Sequence, residues 1–282
     1  MSTRLLLIIA FVSTIPLFSS QKMTLTEKAA VQGGSQREAE RLWEQAISAK
    51  GGRTRLHQVR NLVVSSRATY RLSLFKRGQL HYEEFYVFPS KMWAWYDDRP
   101  SVLGLYLRMF NFDDSLFYET QEGSPPKKLS ERNDGRFFLL RAQLVYLMET
   151  RWVKPIVVGM TRGHVGHQDV DIIQTLVNER RIDFALDRES HLPVKISIYP
   201  SETDVQAAKR SGGVDAPDVP INSVLLSDYI EVDGIKMPRV VNFDRTIDVR
   251  TSYLFNVTYD ERIFKQPPSI EAGPEAWRAR RE

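Results

Sequence analysis

Residues 62–75 read Leu62-Val63-Val64-Ser65-Ser66-Arg67-Ala68-Thr69-Tyr70-Arg71-Leu72-Ser73-Leu74-Phe75. Leu62, Val64, Ala68, Tyr70, Leu72 and Leu74 share one parity, while Ser65, Arg67, Thr69, Arg71 and Ser73 fill the other. Side chains alternate between the faces of a strand, so this is a long strand with one wet face. Just upstream the period is helical. Ser35-Gln36-Arg37-Glu38 has capping-box spacing, Ala39, Leu42, Trp43, Ala46 and Ile47 form one stripe, and Gly51-Gly52 supplies a left-handed stop. The chain therefore turns from helix to sheet here.

Downstream, the turns Lys76-Arg77-Gly78 and Pro89-Ser90 set off two further strands, Leu80–Phe88 and Lys91–Tyr96. Both are apolar on both faces. Tyr82, Tyr86 and Phe88 oppose Phe85 and Val87, and Met92 and Tyr96 oppose Trp93 and Trp95. Such strands must be covered on each side by a helix, a second layer or a ligand. Val102–Phe110 and Ser115–Thr120 read as strands and Gln121–Asp134 as a loop. Gly135–Val153 reads as a helix that is apolar nearly all round, capped by Asn133 or Asp134 and ended by Pro155.

The remainder predicts a β meander. Val170–Leu176, Arg181–Asp187 and Val194–Ile198 alternate, Pro200–Pro220 reads as a mobile polar loop, and Asp233-Gly234 joins Ser223–Val232 to Lys236–Asp248 as a hairpin. A last strand carries Tyr253, Phe255, Val257 and Tyr259. About ten to eleven strands and two helices make an α+β domain built on one large, curled antiparallel sheet.

Arg4 followed by an apolar stretch to Phe18, broken by Pro16, is a secretory signal pattern and too short for a membrane span of about 20 residues. The chain has no cysteine, which excludes disulfides, a lipid-anchor thioether and thiolate sites, so a hydrophobic core must hold the fold. The net charge of +4 is dispersed, and Arg278-Ala279-Arg280-Arg281 reads as a solvated end, so nucleic acid is not a predicted partner. The layout is a signal peptide over 1–20, a linker over 21–34, one domain over 35–275 and a basic tail over 276–282.

Catalytic motifs are missing: there is no nucleophile elbow, Ser-x-x-Lys or His-Glu-x-x-His. Glu83-Glu84 and Asp97-Asp98 are adjacent on strands, so each pair points to opposite faces and cannot share a proton. His164 and His167, with His191, are the best metal candidates, and they support a metal-dependent hydrolase as the least favoured reading. No catalytic residue, metal or cofactor is expected. The aromatic strands admit two readings, a solid core under the 135–153 helix or a cavity with that helix as its lid. The cavity would be lined by Tyr70, Leu72, Tyr86, Phe88, Trp93, Trp95, Leu140, Leu144, Leu147 and Met148, a set suited to acyl chains.

Glu44-Gln45-Ala46-Ile47-Ser48-Ala49-Lys50-Gly51-Gly52 with Leu56–Leu62 resembles the opening of proteins in the outer-membrane lipoprotein-sorting (LolA/LolB-like) superfamily. Leu186–Pro193, Tyr229–Pro238 and Asn256–Phe264 carry the same resemblance. It implies an incomplete β-barrel closed by helices over an apolar cavity, and a periplasmic, cofactor-free carrier or sensor. The implied partners are an acylated lipoprotein or other lipid, and a membrane-bound donor or acceptor protein. An envelope regulatory or scaffolding module on the same fold is the alternative.

Overall fold

The stripe at 39–47 forms α1 (Gln36–Lys50), whose buried residues are those five and Lys50. Its end is a Schellman motif: the Gly52 N–H bonds Ile47 O at 2.9 Å and the Gly51 N–H bonds Ser48 O at 3.1 Å. Gly51 has φ 133°, and a Cβ there would stand 2.5 Å from Gly234 O, so the helix end seats directly on the Asp233-Gly234 turn. These positions belong to a computed structural model, which describes residues 36–71, 77–97, 107–114, 117–129, 132–210, 217–243, 249–264, 267–269 and 273–278. Ser35, Leu72 and the signal stretch lie outside them. A short helix, α2 (Arg53–Gln58), follows α1 at once.

Thirteen strands among the described residues form one sheet, ordered β6-β5-β4-β3-β2-β1-β13-β12-β11-β10-β9-β8-β7, and every pairing is antiparallel. The first meander is β1 (Asn61–Arg71), β2 (Arg77–Val87), β3 (Lys91–Asp97), β4 (Leu107–Phe112), β5 (Phe117–Gln121) and β6 (Lys127–Leu129). The second is β7 (Ile156–Val165), β8 (Gln168–Val177), β9 (Arg180–Asp187), β10 (Pro193–Ile198), β11 (Asn222–Val232), β12 (Ile235–Asn242) and β13 (Arg250–Phe255). The two meet where β13 returns to lie beside β1, with Leu62 opposite Phe255 and Arg67 opposite Arg250. β6 and β7 are left at opposite edges, so the sheet is not closed into a barrel. The segment between those edges carries α3 (Arg132–Ala142) and a π-helical turn, Gln143–Leu147.

The curled α+β sheet is as the periodicity predicts, with differences in detail. β7 joins the edge where alternation fails: Ile156 and Val158 are exposed, and the register slips between Val157 and Gly159. The segment 200–220 contains a helix, α4 (Glu202–Arg210), capped by reciprocal bonds between Ser201 and Asp204. It buries no residue, so it leaves no apolar stripe to read. The apolar helix begins at Arg132 and stops at Leu147 instead of running from 135 to 153. Thr150 Oγ1 accepts the N–H groups of Trp152 and Val153 and closes a turn there.

β2 and β3 are covered on both faces. The inner face carries Tyr86, Phe88, Met92 and Ala94 in one core with α1 and the π-turn. The outer face carries Phe85, Trp93 and Trp95, packed against Phe264 and Trp277. Phe264 belongs to a 3-10 turn, Glu261–Phe264. Trp277 therefore corrects the reading of 276–282 as a tail: its indole is buried, 5.4 Å from the Phe85 ring. No helix among the described residues is long and apolar enough to cross a membrane.

Candidate functional site

The inner face of β1–β3 is filled by α3 and its π-turn. Leu144, Leu147, Met148 and Tyr86 each have 0 % exposure, so no void of water size adjoins them. Phe88 is also buried; it stacks on Tyr86 at 6.3 Å and meets Trp152 at 6.1 Å. Leu140 packs part-buried on the same core. The structure thus unites Tyr86, Phe88, Leu140, Leu144, Leu147 and Met148, and it separates Trp93 and Trp95, which lie in the outer cluster. The side chain of Tyr70 and all of Leu72 lie outside the described residues.

The segment that fills the face is not an ordinary helix. Its last turn has π geometry, a form found mostly as single turns at functional positions. It ends on Met148 at φ 64° and ψ −45°, with the Glu149 N–H bonded to Leu147 O at 2.7 Å. That is a γ-turn of the strained hand, a conformation costing about 1–3 kcal/mol. Glu149 then ties the end of the segment to α2. Arg53 Nε donates to its Oε1 at 2.6 Å, His57 Nε2 lies 2.8 Å from the same oxygen, and Arg53 also forks onto Glu44. Burial works to raise the Glu149 pKa, yet the bonds from Arg53 and His57 outweigh it and hold the carboxyl below the ordinary range.

Under the helix lies a polar cluster that sequence reasoning passed over. Glu84, 2 % exposed, accepts Tyr96 Oη at 2.6 Å through Oε1, with Arg141 Nη2 at 3.9 Å. Glu84 Oε2 and the hydroxyls of Tyr86 and Tyr146 are buried without a hydrogen-bond partner. Such groups cost about 1–3 kcal/mol each. Burial first, and the Glu84 charge second, push the Tyr86, Tyr96 and Tyr146 phenols well above their usual range, so each stays a neutral donor. Arg141 stacks its guanidinium 4.6 Å from Phe243 and 5.0 Å from Phe138. The sequence signals were an arginine inside the apolar run 137–148 and a glutamate sharing the parity of Tyr82 and Tyr86. At the end of α1, Lys50 is fully buried, its Nζ without a hydrogen-bond partner and 5.1 Å from the Tyr229 ring. Burial lowers its pKa to about 7.

The histidines do not gather. His164 Nδ1 is 2.7 Å from Asp169, which is tied in turn to Arg188 at 3.1 Å, and His167 sits in the β7–β8 turn. Among the described residues no three His, Asp or Glu side chains form a metal-holding group. Glu83 and Glu84 point to opposite faces, as their adjacency predicts.

No family model matches the chain, and no curated protein does. The fold is similar to three solved structures. One is a domain described as outer-membrane lipoprotein-sorting from Vibrio parahaemolyticus, 8% identical with TM-score 0.42, covering 81% of this chain and 97% of that one. A LolA-superfamily protein from Nitrosomonas europaea is 11% identical with TM-score 0.46, covering 81% and 97%. A DUF1329-family protein from Desulfovibrio piger is 11% identical with TM-score 0.46, covering 80% and 96%.

Proposed function

We propose that the protein is a non-catalytic carrier that takes an acyl chain or a comparable apolar ligand onto its inner face, into the space that α3 and its π-turn fill when closed. The observation that supports this most is the filling segment itself, which combines an apolar helix, a π-turn and a strained γ-turn with an ionic tie at its end. Moving it aside releases backbone strain and the unpaired hydroxyls of Tyr86 and Tyr146. Each buried methylene of a ligand contributes about 0.8 kcal/mol toward that exchange. Glu84, Arg141 and the tyrosines would meet the polar end of the ligand. The same reading takes 1–20 as a signal peptide, 21–34 as a linker and the domain as running from 35 to Trp277. It places the mature chain in the periplasm, with an acylated lipoprotein or other lipid as cargo and a membrane-bound donor or acceptor.

Native mass spectrometry after incubation with a lipid extract, paired with a fluorescent fatty-acid titration, tests it. One lipid per chain is expected. Leu144→Glu should loosen the filling segment and change lipid binding while the sheet still unfolds cooperatively. Loss of the whole fold in that variant, with no lipid retained by the wild-type chain, would refute the carrier.

A further inference from the structure

On the outer face, β2, β1 and β13 bring three basic side chains into one row. The register sets Arg67 opposite His81 on one side and opposite Arg250 on the other. Side chains so placed have Cβ atoms about 4.5–5.5 Å apart, and like charges at that spacing repel. Arg67 and Arg250 are both exposed, and neither makes a hydrogen bond or ion pair among the described residues. Elsewhere the chain uses its arginines differently: Arg53, Arg181 and Arg262 each hold a carboxylate. A pair of unanswered, mutually repelling guanidinium groups is costly unless something else answers them.

The row borders a cleft of about 770 Å³, within the range of small-molecule sites. Ser65, Glu83, Arg239, Thr251, Pro274 and Glu275 are also in its lining. The acids and the third arginine of that lining are already engaged. Glu83 accepts Ser65 Oγ, the Glu275 N–H and the Trp277 indole N–H, at 2.8, 2.7 and 2.7 Å. Glu275 pairs with Arg278 and Arg239 with Asp228. The positive field in the cleft is therefore set by the two free guanidinium forks, with the His81 imidazole, whose pKa burial lowers, as a neutral neighbour facing Asp97 across the β2–β3 pair, and a concave wall focuses it.

We propose that this cleft binds a phosphate monoester, carried by a small metabolite or displayed as a phospholipid headgroup, with Arg67 and Arg250 as paired forks and His81 beside them. A phosphate monoester carries up to two negative charges on three terminal oxygens, so it answers two guanidinium charges and both forks at once, where a carboxylate brings a single charge. The site lies on the face opposite α3 and does not depend on the carrier reading.

Titration calorimetry of the full chain with inorganic phosphate and with glycerol 3-phosphate tests the soluble source. Flotation with phosphatidylcholine vesicles, with and without phosphatidic acid, tests the membrane source. Saturable binding is expected in at least one arm, and the arm that responds identifies the source. Arg67→Gln and Arg250→Gln should each weaken binding about tenfold or more, and the double variant should abolish it. The double variant should also melt no lower than wild type, because a repulsion has been removed. Arg67→Lys, which keeps the charge and loses the fork, should bind between Arg67→Gln and wild type. The proposal is overturned by silence in both arms, by binding that survives the double variant, by equal competition from chloride at matched ionic strength, or by a lowered melting temperature that reveals the arginines as structural.

Discussion

The two faces of β2 and β3 are both closed by protein, and their covers are fastened in opposite ways. Glu83 and Glu84 mark the difference. On the outer face, Glu83 accepts three hydrogen bonds, two of them from the C-terminal segment it anchors. On the inner face, Glu84 takes one bond from Tyr96 and keeps an oxygen unpaired. The outer cover ends in a tryptophan driven into aromatic rings. The inner cover ends in a strained turn held by Arg53 and His57. The outer side leaves one buried group unanswered, the Trp95 indole N–H, while the inner side leaves Glu84 Oε2 and the Tyr86 and Tyr146 hydroxyls so, which makes the inner cover the natural candidate to move.

The sharpest break of this contrast is on the outer side. Trp277→Ala removes a buried indole and is expected to cost about 3–5 kcal/mol in chemical denaturation. Glu83→Ala should cost about 2–4 kcal/mol, because it leaves the buried Trp277 indole N–H without its acceptor and removes the bond that ties down the Glu275 N–H. Glu84→Gln, one residue away, should cost less, about 1–2 kcal/mol, since the amide still accepts from Tyr96 and can donate to a tyrosine while the Arg141 guanidinium loses its carboxylate neighbour at 3.9 Å. Equal losses at 83 and 84 would erase the distinction between the two covers.

A second test uses Lys50, whose folded pKa of about 7 lies below the ordinary 10.5. The unfolded chain binds the proton that the folded chain gives up, so the cost of burial is full below pH 7 and fades as pH rises to about 10.5. Lys50→Met should therefore stabilise the protein by a few kcal/mol at neutral pH, and by progressively less toward pH 10. A constant difference across that range would show the ammonium to be solvated.

The smallest expected effect is at the Glu149 tie. Glu149→Gln weakens the bonds from Arg53 and His57 and should destabilise by about 1–2 kcal/mol while speeding lipid uptake. The depressed Glu149 pKa means that its contribution is present above the ordinary glutamate range, about pH 4.3, and is lost as pH falls through the lower folded value. Stopped-flow uptake should accelerate on acidification in wild type and be unchanged by pH in Glu149→Gln. Identical pH profiles would remove Glu149 from the gating role.

Elements that bury a face were legible in the sequence. α1 shows every one of its predicted stripe residues inside, and the Asp233-Gly234 turn sits where its dipeptide places it. Elements without a buried pattern were not. α4 buries nothing, and β7 breaks its alternation at a bulge with Ile156 turned outward. At the site, period-2 parity separates Tyr86 and Phe88 from Trp93 and Trp95 only once it is known which parity of each strand faces which cover. That depends on register between strands, and no single strand contains it. Lys50 was hidden for a related reason. A lysine in the last turn of a helix ordinarily answers the helix dipole, and only the packing of β11 and β12 shuts it from water.

The seam between β1 and β13 has a consequence for how the chain comes into being. Asn61 and Val257, which hydrogen-bond across it, are 196 residues apart. During synthesis β1 emerges early and waits for a partner that is almost the last strand to appear, so the sheet cannot be completed on a partial chain. Pairings this distant also slow folding once the chain is whole.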